Sequence, residues 1–343
     1  MTRPRDGVVA IVGAGIAGLA AAARLLAHGV DVAVFDKGRS VGGRVATRRK
    51  AAWQFDHGAQ FCTARDERFA ARLAVLAAAG AVSPWPGPFQ TLANGRLGPD
   101  PRPGQVRWVG VPGMSALARS LAGGVPVAVG GRVEGLRHDA DGWWLRVVSM
   151  AAGSEREHGP FAGLILAIPP AQADALLVAA AVPGPVAEAA LAHTRALQPC
   201  CAALVAFAEP IAGVNGGLFV EDAQLAWAAH DGGKPGRGGV PTWVLHGAAG
   251  WSAAVFAQEP LANAAALVEA FARCLGRPLP AVVHLDGHRW RYALAAASDA
   301  SEVVVDAAAR LGICGDSFYG GRLEGAWLAG DRCGELLSAA LPR

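Results

Sequence analysis

Three glycines, at positions 13, 15 and 18, and a carboxylate at position 36 have the types and spacing to do chemistry together. The glycines lie in Gly13-Ala14-Gly15-Ile16-Ala17-Gly18, directly after an apolar run, and Asp36 follows about 20 residues later. Gly13 permits a tight turn, Gly15 lets backbone approach a pyrophosphate, and Gly18 allows a helix to pack close to a strand. The free N–H groups and positive dipole end of the following helix favour phosphate. Asp36 stands where a carboxylate accepts hydrogen bonds from ribose hydroxyls and disfavours a 2′-phosphate. A plain glycine-rich turn would account for the glycines but not for Asp36, so these residues predict a dinucleotide site.

Three further segments extend the prediction. Val41-Gly42-Gly43-Arg44 offers two small residues beside a pyrophosphate and a guanidinium to pair with phosphate oxygens. The plainer reading is a glycine turn with a surface arginine, yet NAD-binding domains have no need of such an element. Phe55-Asp56-His57-Gly58-Ala59-Gln60-Phe61 sets small residues among polar and aromatic ones, as suits backbone lying against a flat ligand. His57 by itself reads as a structural histidine. Towards the C-terminal end, Ile313-Cys314-Gly315-Asp316-Ser317 precedes Gly320-Gly321-Arg322-Leu323-Glu324-Gly325-Ala326-Trp327. A strand ending in Gly-Asp is expected there, then a helix from about Gly325, whose N-terminus suits a flavin edge that gains negative charge on reduction. Together the two ends of the chain point to FAD rather than NAD.

These residues need elements to hold them. Residues 8–12 form an unbroken apolar, β-branched run, as in a strand buried on both faces. An Ala/Leu-rich helix over 16–27 ends at Gly29, and 31–35 reads as a second buried strand. Such a βαβ unit makes a parallel sheet. Helical patterns recur at 67–79, 115–121, 171–179, 261–275 and 325–339, and strand patterns at 132–138, 143–148, 164–168, 201–208, 242–246 and 282–285. The Pro/Gly-rich stretch 84–104 reads as a loop insertion with short strands, and 232–239 as an exposed hairpin tip or loop. The order predicts an α/β fold. Segments 1–80, 105–170 and 288–343 would make a Rossmann-like FAD-binding domain, with 81–104 and 171–287 as an inserted α+β substrate domain.

Composition narrows the class. Of 343 residues 52% are hydrophobic and 17% charged, enough apolar material for about two domains and too little charge for disorder. The net charge of +3 is dispersed, which argues against nucleic acid or a membrane surface as partner. The six cysteines show no metal-ligand spacing, so no metal is expected, and reduced thiols suit a cytoplasmic protein. Cys200-Cys201 reads as two strand thiols rather than a vicinal disulfide, and a flavin thioether to Cys314 or Cys333 is not expected. Arg3 and Arg5 ahead of the apolar run 8–23 superficially resemble a signal peptide. The run lacks a convincing cleavage site, carries the spaced glycines, and is short for a membrane span.

Taken together, the motifs resemble the FAD-dependent amine oxidase and phytoene desaturase superfamily, and within it the renalase-like enzymes. The resemblance is carried by Asp36-Lys37, Gly42-Gly43-Arg44, Gly58-Ala59-Gln60-Phe61, Val111-Pro112-Gly113-Met114, Trp290-Arg291 within His288-Arg289-Trp290-Arg291-Tyr292, Gly315-Asp316, and the compact length. It implies a p-hydroxybenzoate hydroxylase-like fold. It also implies FAD contacts at Gly13, Gly15, Ala17, Gly18, Asp36, Lys37, Gly43, Arg44, Gln60 and Phe61. Val133 would hold the adenine through its backbone, and Asp316, Glu324, Gly325, Ala326 and Trp327 the ribityl chain and isoalloxazine. The implied reaction is oxidation of 2- or 6-dihydronicotinamide nucleotides, with dioxygen as electron acceptor.

One departure from amine oxidases is informative. Those enzymes typically place a lysine near the flavin on a substrate-domain strand, but the matching stretch 200–207 has none. The chain has three lysines, Lys37, Lys50 and Lys234, the last in a Gly-rich loop, and two tyrosines, Tyr292 and Tyr319, although ten tryptophans could frame a substrate instead. Converting a dihydronicotinamide to its aromatic cation needs loss of a hydride only, so such a site requires orientation more than a tuned base. Trp290 and Tyr292 share one strand face. Trp290 either stacks on a nicotinamide or packs on the sheet, and His246 either faces the same cavity or is a core or surface histidine. A flavin amine oxidase or other small-molecule FAD oxidoreductase, and a non-catalytic FAD-binding protein, remain the alternatives.

Overall fold

A computed structural model describes residues 7–50, 52–195, 197–295 and 302–342; Arg3 and Arg5 lie outside them. The chain divides into two compact units. One comprises Met1–Gly43, Ala118–Leu197 and Ala295–Arg343, the other Arg44–Leu117 and Gln198–Leu294. Compactness thus draws its line differently from the cofactor and substrate domains expected above, since 44–80 and 105–117 pack with the second unit.

The first unit rests on a six-stranded sheet in the order Val304–Asp306, Leu311–Ile313, Gly163–Leu166, Val9–Val12, Val32–Asp36, Val127–Val129. Neighbours are parallel except for the pair Val304–Asp306 and Leu311–Ile313. Val9–Val12 lies mid-sheet with every residue buried, which is why its sequence is an apolar run and not an alternation. The helix Ile16–Ala27 packs against the helix Arg322–Ala340. Glycines make that approach possible: a Cβ at Gly330 would stand 2.0 Å from the Ala17 carbonyl oxygen, and one at Gly334 2.7 Å from that of Ala21. Arg24 closes the contact with a two-pronged hydrogen bond to Asp331, 2.8 Å on each prong. A three-stranded antiparallel sheet (Gly131–Asp139, Gly142–Ser149, Glu155–Phe161) completes the unit.

The second unit is built on a seven-stranded sheet in the order Val282–Ala295, Leu197–Phe207, Thr242–Gly247, Leu225–His230, Gly217–Val220, Phe89–Ala93, Arg96–Gly98. Side-chain alternation splits its residues between two faces. Ala203, Val205, Phe207, Trp243 and Leu245 pack with Leu267 and Phe271 of the helix Pro260–Leu275. Ala202, Leu204 and Val244 face the other way, onto Phe55 and Trp53 of the hairpin Thr47–Lys50/Trp53–Asp56.

Three sequence expectations are corrected. The last helix starts at Arg322 rather than near Gly325. The strand expected over 282–285 continues to Ala295 and takes in the whole Trp290 element. Most consequentially, 232–239 is the loop of a hairpin, joining Leu225–His230 to Thr242–Gly247 with Gly233, Gly236, Gly238 and Gly239 exposed, but it is not solvated throughout: Asp231–Gly233 is a 3-10 turn, and Asp231, Lys234 and Arg237 are buried in ion pairs. No helix among the described residues is long and apolar enough to cross a membrane.

Candidate functional site

The first unit carries a cradle made of backbone. Gly13 has φ +106, donates its N–H to the Phe35 carbonyl at 2.8 Å, and has no room for a Cβ, which would stand 2.5 Å from the Ala167 oxygen. A Cβ at Gly18 would lie 1.9 Å from the Gly13 oxygen, so this glycine is required by packing. Gly15 differs: its Cβ would meet nothing within 4 Å. Gly43, with φ +53, would meet nothing but the Gly15 Cα, at 3.7 Å, and the Gly42 N–H donates to the Ala14 carbonyl at 2.8 Å. Two glycine turns therefore leave a strip of bare backbone at the start of a helix, which fits a pyrophosphate.

Asp36 accepts from the Ala14 N–H at 2.7 Å and the Gly38 N–H at 2.6 Å, one on each oxygen, and a carboxylate has lone pairs left for ribose hydroxyls. Ala17 is buried and Lys37 exposed. Val133 is buried beside an irregularity in the strand register, where ladder hydrogen bonding is locally disrupted. In the C-terminal segment Asp316, Glu324, Gly325 and Ala326 are buried, with Trp327 half-buried at the start of the last helix. The neighbouring Ser317 hydroxyl is buried with no hydrogen-bond partner. Buried polar atoms are almost always paired, so an orphan among the expected cofactor residues is consistent with a ligand group that completes it.

The second unit offers a different kind of site, made of side chains. His246 lies two residues beyond Val244 and so on the Phe55 face of the sheet. Its Nε2 is 3.3 Å from the His57 carbonyl oxygen, to which the Trp290 indole N–H also donates, at 2.8 Å. Along Val282–Ala295 the even-numbered residues follow suit. His284 stacks on Phe55, while His288 and Trp290 meet the His57 ring at 4.8 and 5.0 Å between centroids. Tyr292 continues that row and is half-buried. Gly58 must be glycine, because a Cβ would lie 2.0 Å from the Arg44 oxygen and 3.3 Å from the Trp290 ring. The Arg44 guanidinium donates to the Ala293 carbonyl at 3.1 Å.

Burial lowers the His57 imidazole to about 3, with His288 and Arg48 adding to the effect and Asp56 and the Ala46 carbonyl opposing it. His246 is brought to about 4 by burial against the opposing His57 carbonyl, and His288 to about 4 by burial and then Arg48. All three rings are neutral near pH 7. Arg48 donates to Nδ1 of His288 at 2.9 Å and to Asp286 at 3.0 Å.

Behind this face lies a buried ionic quartet that sequence reading missed. Lys234 Nζ is 3.2 Å from Asp56 and 2.8 Å from Asp231, and Arg237 bridges the same two carboxylates. Thr47 and the Met114 N–H donate to the other Asp56 oxygen at 2.7 and 2.9 Å. Burial by itself would raise the Asp56 carboxyl, but Lys234, Arg237 and these hydrogen bonds outweigh it and hold it below the usual range. Lys234 also donates to Gln60 Oε1 at 3.1 Å, and the Gln60 amide nitrogen donates to the Asp56 and Gly58 carbonyls. The Gln60 side chain is thus engaged within the protein. Phe61 sits with Phe89 and Trp227, and the buried Arg107 guanidinium lies 3.9 Å over the Phe89 ring. The available signal was Asp231, Lys234 and Arg237 in one seven-residue Gly/Pro stretch, but a solvated loop reads the same way.

A model of an NAD(P)-binding Rossmann-like domain matches residues 11–74, and the model of the flavin containing amine oxidoreductases matches 101–337. The chain belongs to the flavin containing amine oxidoreductase family. Among curated relatives of this amine oxidoreductase-family chain, the 4,4'-diapophytoene desaturase (4,4'-diaponeurosporene-forming) of Staphylococcus haemolyticus strain JCSC1435 is 52% identical over 50 residues, 15% of this chain and 10% of the relative. That of Staphylococcus aureus strain Newman is 46% identical over 50 residues, again 10% of the relative's length. Solved structures match far more of the chain. A protein assigned as a protoporphyrinogen oxidase from Exiguobacterium sp. 255-15 has a TM-score of 0.73 at 13% identity, covering 98% of this chain and 100% of its own. Cyclohexylamine oxidase from Brevibacterium oxydans IH-35A has a TM-score of 0.66 at 15% identity, with 96% and 98% covered. At such identities the likeness is one of fold, and it agrees with the expected FAD-binding α/β architecture.

Proposed function

We propose that this oxidoreductase is renalase-like: it oxidises isomeric, 2- or 6-, dihydronicotinamide nucleotides, with dioxygen as final electron acceptor and hydrogen peroxide as product. The observation that carries the reading is the condition of Lys234. It is 2% exposed and held by Asp56, Asp231 and Gln60. An amine must lose a proton as well as a hydride, and an ammonium locked in such pairs is no base for it. A dihydronicotinamide becomes an aromatic cation by losing a hydride alone. Bound FAD supplies the two-electron redox chemistry.

The protein's own part is binding and orientation. Gly13, Gly15, Gly18 and Gly43 would hold the pyrophosphate by backbone, with Ala17 beside them and Arg44 as a phosphate partner. Asp36 would hold the ribose, Lys37 would lie at its solvent edge, and the Val133 backbone would hold the adenine. Asp316 and Glu324 to Trp327 would hold the ribityl chain and isoalloxazine. Gln60 and Phe61 would contribute backbone and ring surface, since the Gln60 amide is already occupied. Trp290, Tyr292 and His246 are the proposed substrate residues. The π face of Trp290 attracts positive charge, so its contact with the substrate ring would strengthen as the hydride leaves. A cytoplasmic location, with no nucleic-acid or membrane partner, belongs to the same proposal.

Amine oxidation is the second reading. Favouring it are the aromatic group Phe61, Phe89, Phe219 and Trp227, and the names of structural neighbours such as cyclohexylamine oxidase. Against it, Arg107 already supplies a cation to the three phenylalanines of that group. Anaerobic stopped-flow at the flavin band near ~450 nm separates the two. Fast bleaching by 2- or 6-dihydro-NAD, but not by primary amines, is the expected result. Bleaching by amines alone would overturn the proposal, and a reducible flavin that no donor bleaches would favour a non-catalytic FAD-binding protein.

A further inference from the structure

The chain has three asparagines, and two of them, Asn94 and Asn215, stand directly before a glycine. Such a step can modify itself, because no glycine side chain screens the following nitrogen from the asparagine carboxamide. The glycine backbone nitrogen, once it has lost its proton, attacks Cγ of the asparagine. The new C–N bond closes a five-membered succinimide, and the amide nitrogen leaves as ammonia. Water then opens the ring at either carbonyl, giving aspartate or, with one more carbon in the main chain, isoaspartate. Water is the only co-reactant, and nothing is oxidised or reduced. In a folded chain the rate depends on whether that nitrogen can come over the carboxamide carbon in the right orientation.

The two steps, both in the second unit, are held in opposite ways. Asn94 and Gly95 are the two central residues of the hairpin turn between Phe89–Ala93 and Arg96–Gly98, closed by the pair Ala93 and Arg96. Their φ values, +49 and +76, are those of a type I′ turn. Both residues are exposed, and a Cβ at Gly95 would meet nothing within 4 Å. Among the described residues the Asn94 side chain has no hydrogen-bond partner and the Gly95 N–H no acceptor, so the carboxamide is free to turn onto that nitrogen.

Asn215 has the same neighbour and none of the freedom. Its Oδ1 accepts the Gly216 N–H at 2.8 Å and also faces Nδ1 of His230. The Gly216 carbonyl accepts the His230 backbone N–H at 2.7 Å, and a Cβ at Gly216 would stand 1.8 Å from the Pro88 oxygen. A nitrogen that donates to the carboxamide oxygen keeps its proton and lies near the plane of that group, whereas attack on the carbon comes from above the plane. The packed backbone leaves it no room to swing there. Asn263, the third, is 2% exposed within the helix Pro260–Leu275 and is followed by alanine.

We propose that Asn94 is a modification site: in the folded protein the Asn94–Gly95 turn converts through a succinimide to aspartate and isoaspartate, while Asn215–Gly216 is preserved by its hydrogen bonds and packing. The product places a new carboxylate on the depression that Glu221 and Asp222 also line. Where isoaspartate forms, the lengthened main chain no longer fits a two-residue turn. Arg96–Gly98 ends its sheet and, among the described strands, pairs with Phe89–Ala93 alone, so it loosens when the turn is lost.

The test keeps flavin-loaded protein in mildly alkaline buffer, samples it over days, and reads the amide-to-acid mass gain on the peptides that hold Asn94, Asn215 and Asn263. Electron-transfer fragmentation tells isoaspartate from aspartate. Asn94 is expected to convert at least about tenfold faster than Asn215, the factor that one or two net hydrogen bonds withhold, and Asn263 to stay unchanged. In the urea-unfolded chain the two Asn-Gly steps should converge, since only the fold separates them. Equal rates in the folded protein, or a faster Asn215, overturn the inference, as does a difference that persists in urea. Asn94→Ser should abolish the mass gain on its own peptide. Tryptic cleavage after Arg96 should quicken in aged wild type and not in aged Asn94→Ser; cleavage that stays level once isoaspartate has formed would overturn the loosening of the edge strand.

Discussion

The glycine cradle of the first unit and the histidine-and-ion-pair site of the second solve opposite problems. The cradle must be bare: Gly15 and Gly43 leave open space, and what surrounds the expected pyrophosphate is peptide N–H and helix dipole. The second site is crowded. Four charged side chains and His57 are buried there, beside the half-buried His246 and His288, all brought together from segments remote in sequence. A site of backbone tolerates change outside a few glycines. A site of buried charge fails when any one partner is removed.

That contrast makes its sharpest prediction at Lys234. Lys234→Met leaves Asp56 and Asp231 to share Arg237, and removing one partner from a buried pair costs about 3–5 kcal/mol. Urea unfolding should show a loss of that size, and a loss below ~1 kcal/mol, the range of an exposed pair, would mean the quartet is not the rigid buried cluster described. Gly18→Ala, whose Cβ would stand 1.9 Å from the Gly13 oxygen, is expected to destabilise by about 1–3 kcal/mol through overpacking.

Acid should also strike the second site. Its histidines fall from 6.5 to about 3 or 4 on folding. The unfolded chain therefore binds more protons in that interval. The stability in question is whole above pH ~6.5 and is lost progressively as the pH falls towards the folded values. Each histidine adds a slope of about 1.4 kcal/mol per pH unit within the interval, and His57→Leu should remove one such share. Urea midpoints that stay level from pH 7 to pH 5 would contradict it.

Gly15→Val tests the cradle from the other direction. Its side chain enters open space, so stability of the flavin-free protein should change by less than ~0.5 kcal/mol, while absorbance near ~450 nm per mole of protein drops sharply. Full flavin content in this variant would remove the pyrophosphate from that strip. The smallest effect is expected at Lys37→Ala. This side chain is exposed, and its loss should weaken FAD retention only slightly, and less still in high salt.

The same contrast decides what was legible in the sequence. Gly13, Gly15, Gly18 and Asp36 lie within one βαβ unit, so spacing alone shows them as a group. The parallel sheet was readable for the same reason, since Val9–Val12 is buried on both faces and apolar throughout. Lys234 and Asp56 lie 178 residues apart, and His246 and His57 189 apart, and no local pattern announces such a meeting. Gly/Pro-rich sequence around Lys234 reads as solvated loop because glycine and proline report backbone shape and not burial. The face shared by Trp290 and Tyr292 was visible from period-two alternation, whereas the partner of Trp290, a carbonyl at His57, was not.

The pairing of the helices Ile16–Ala27 and Arg322–Ala340 also sets a timetable. Arg24 and Asp331, which tie them, are 307 residues apart, and at ~5–20 residues per second that gap corresponds to roughly 15–60 s on the ribosome. The glycine-rich turn is thus made well before its partner helix, and the surface of the helix Ile16–Ala27 that rests on Gly330 and Gly334 stays uncovered until those residues have been translated. Flavin capture by this unit would then wait for the helix Arg322–Ala340.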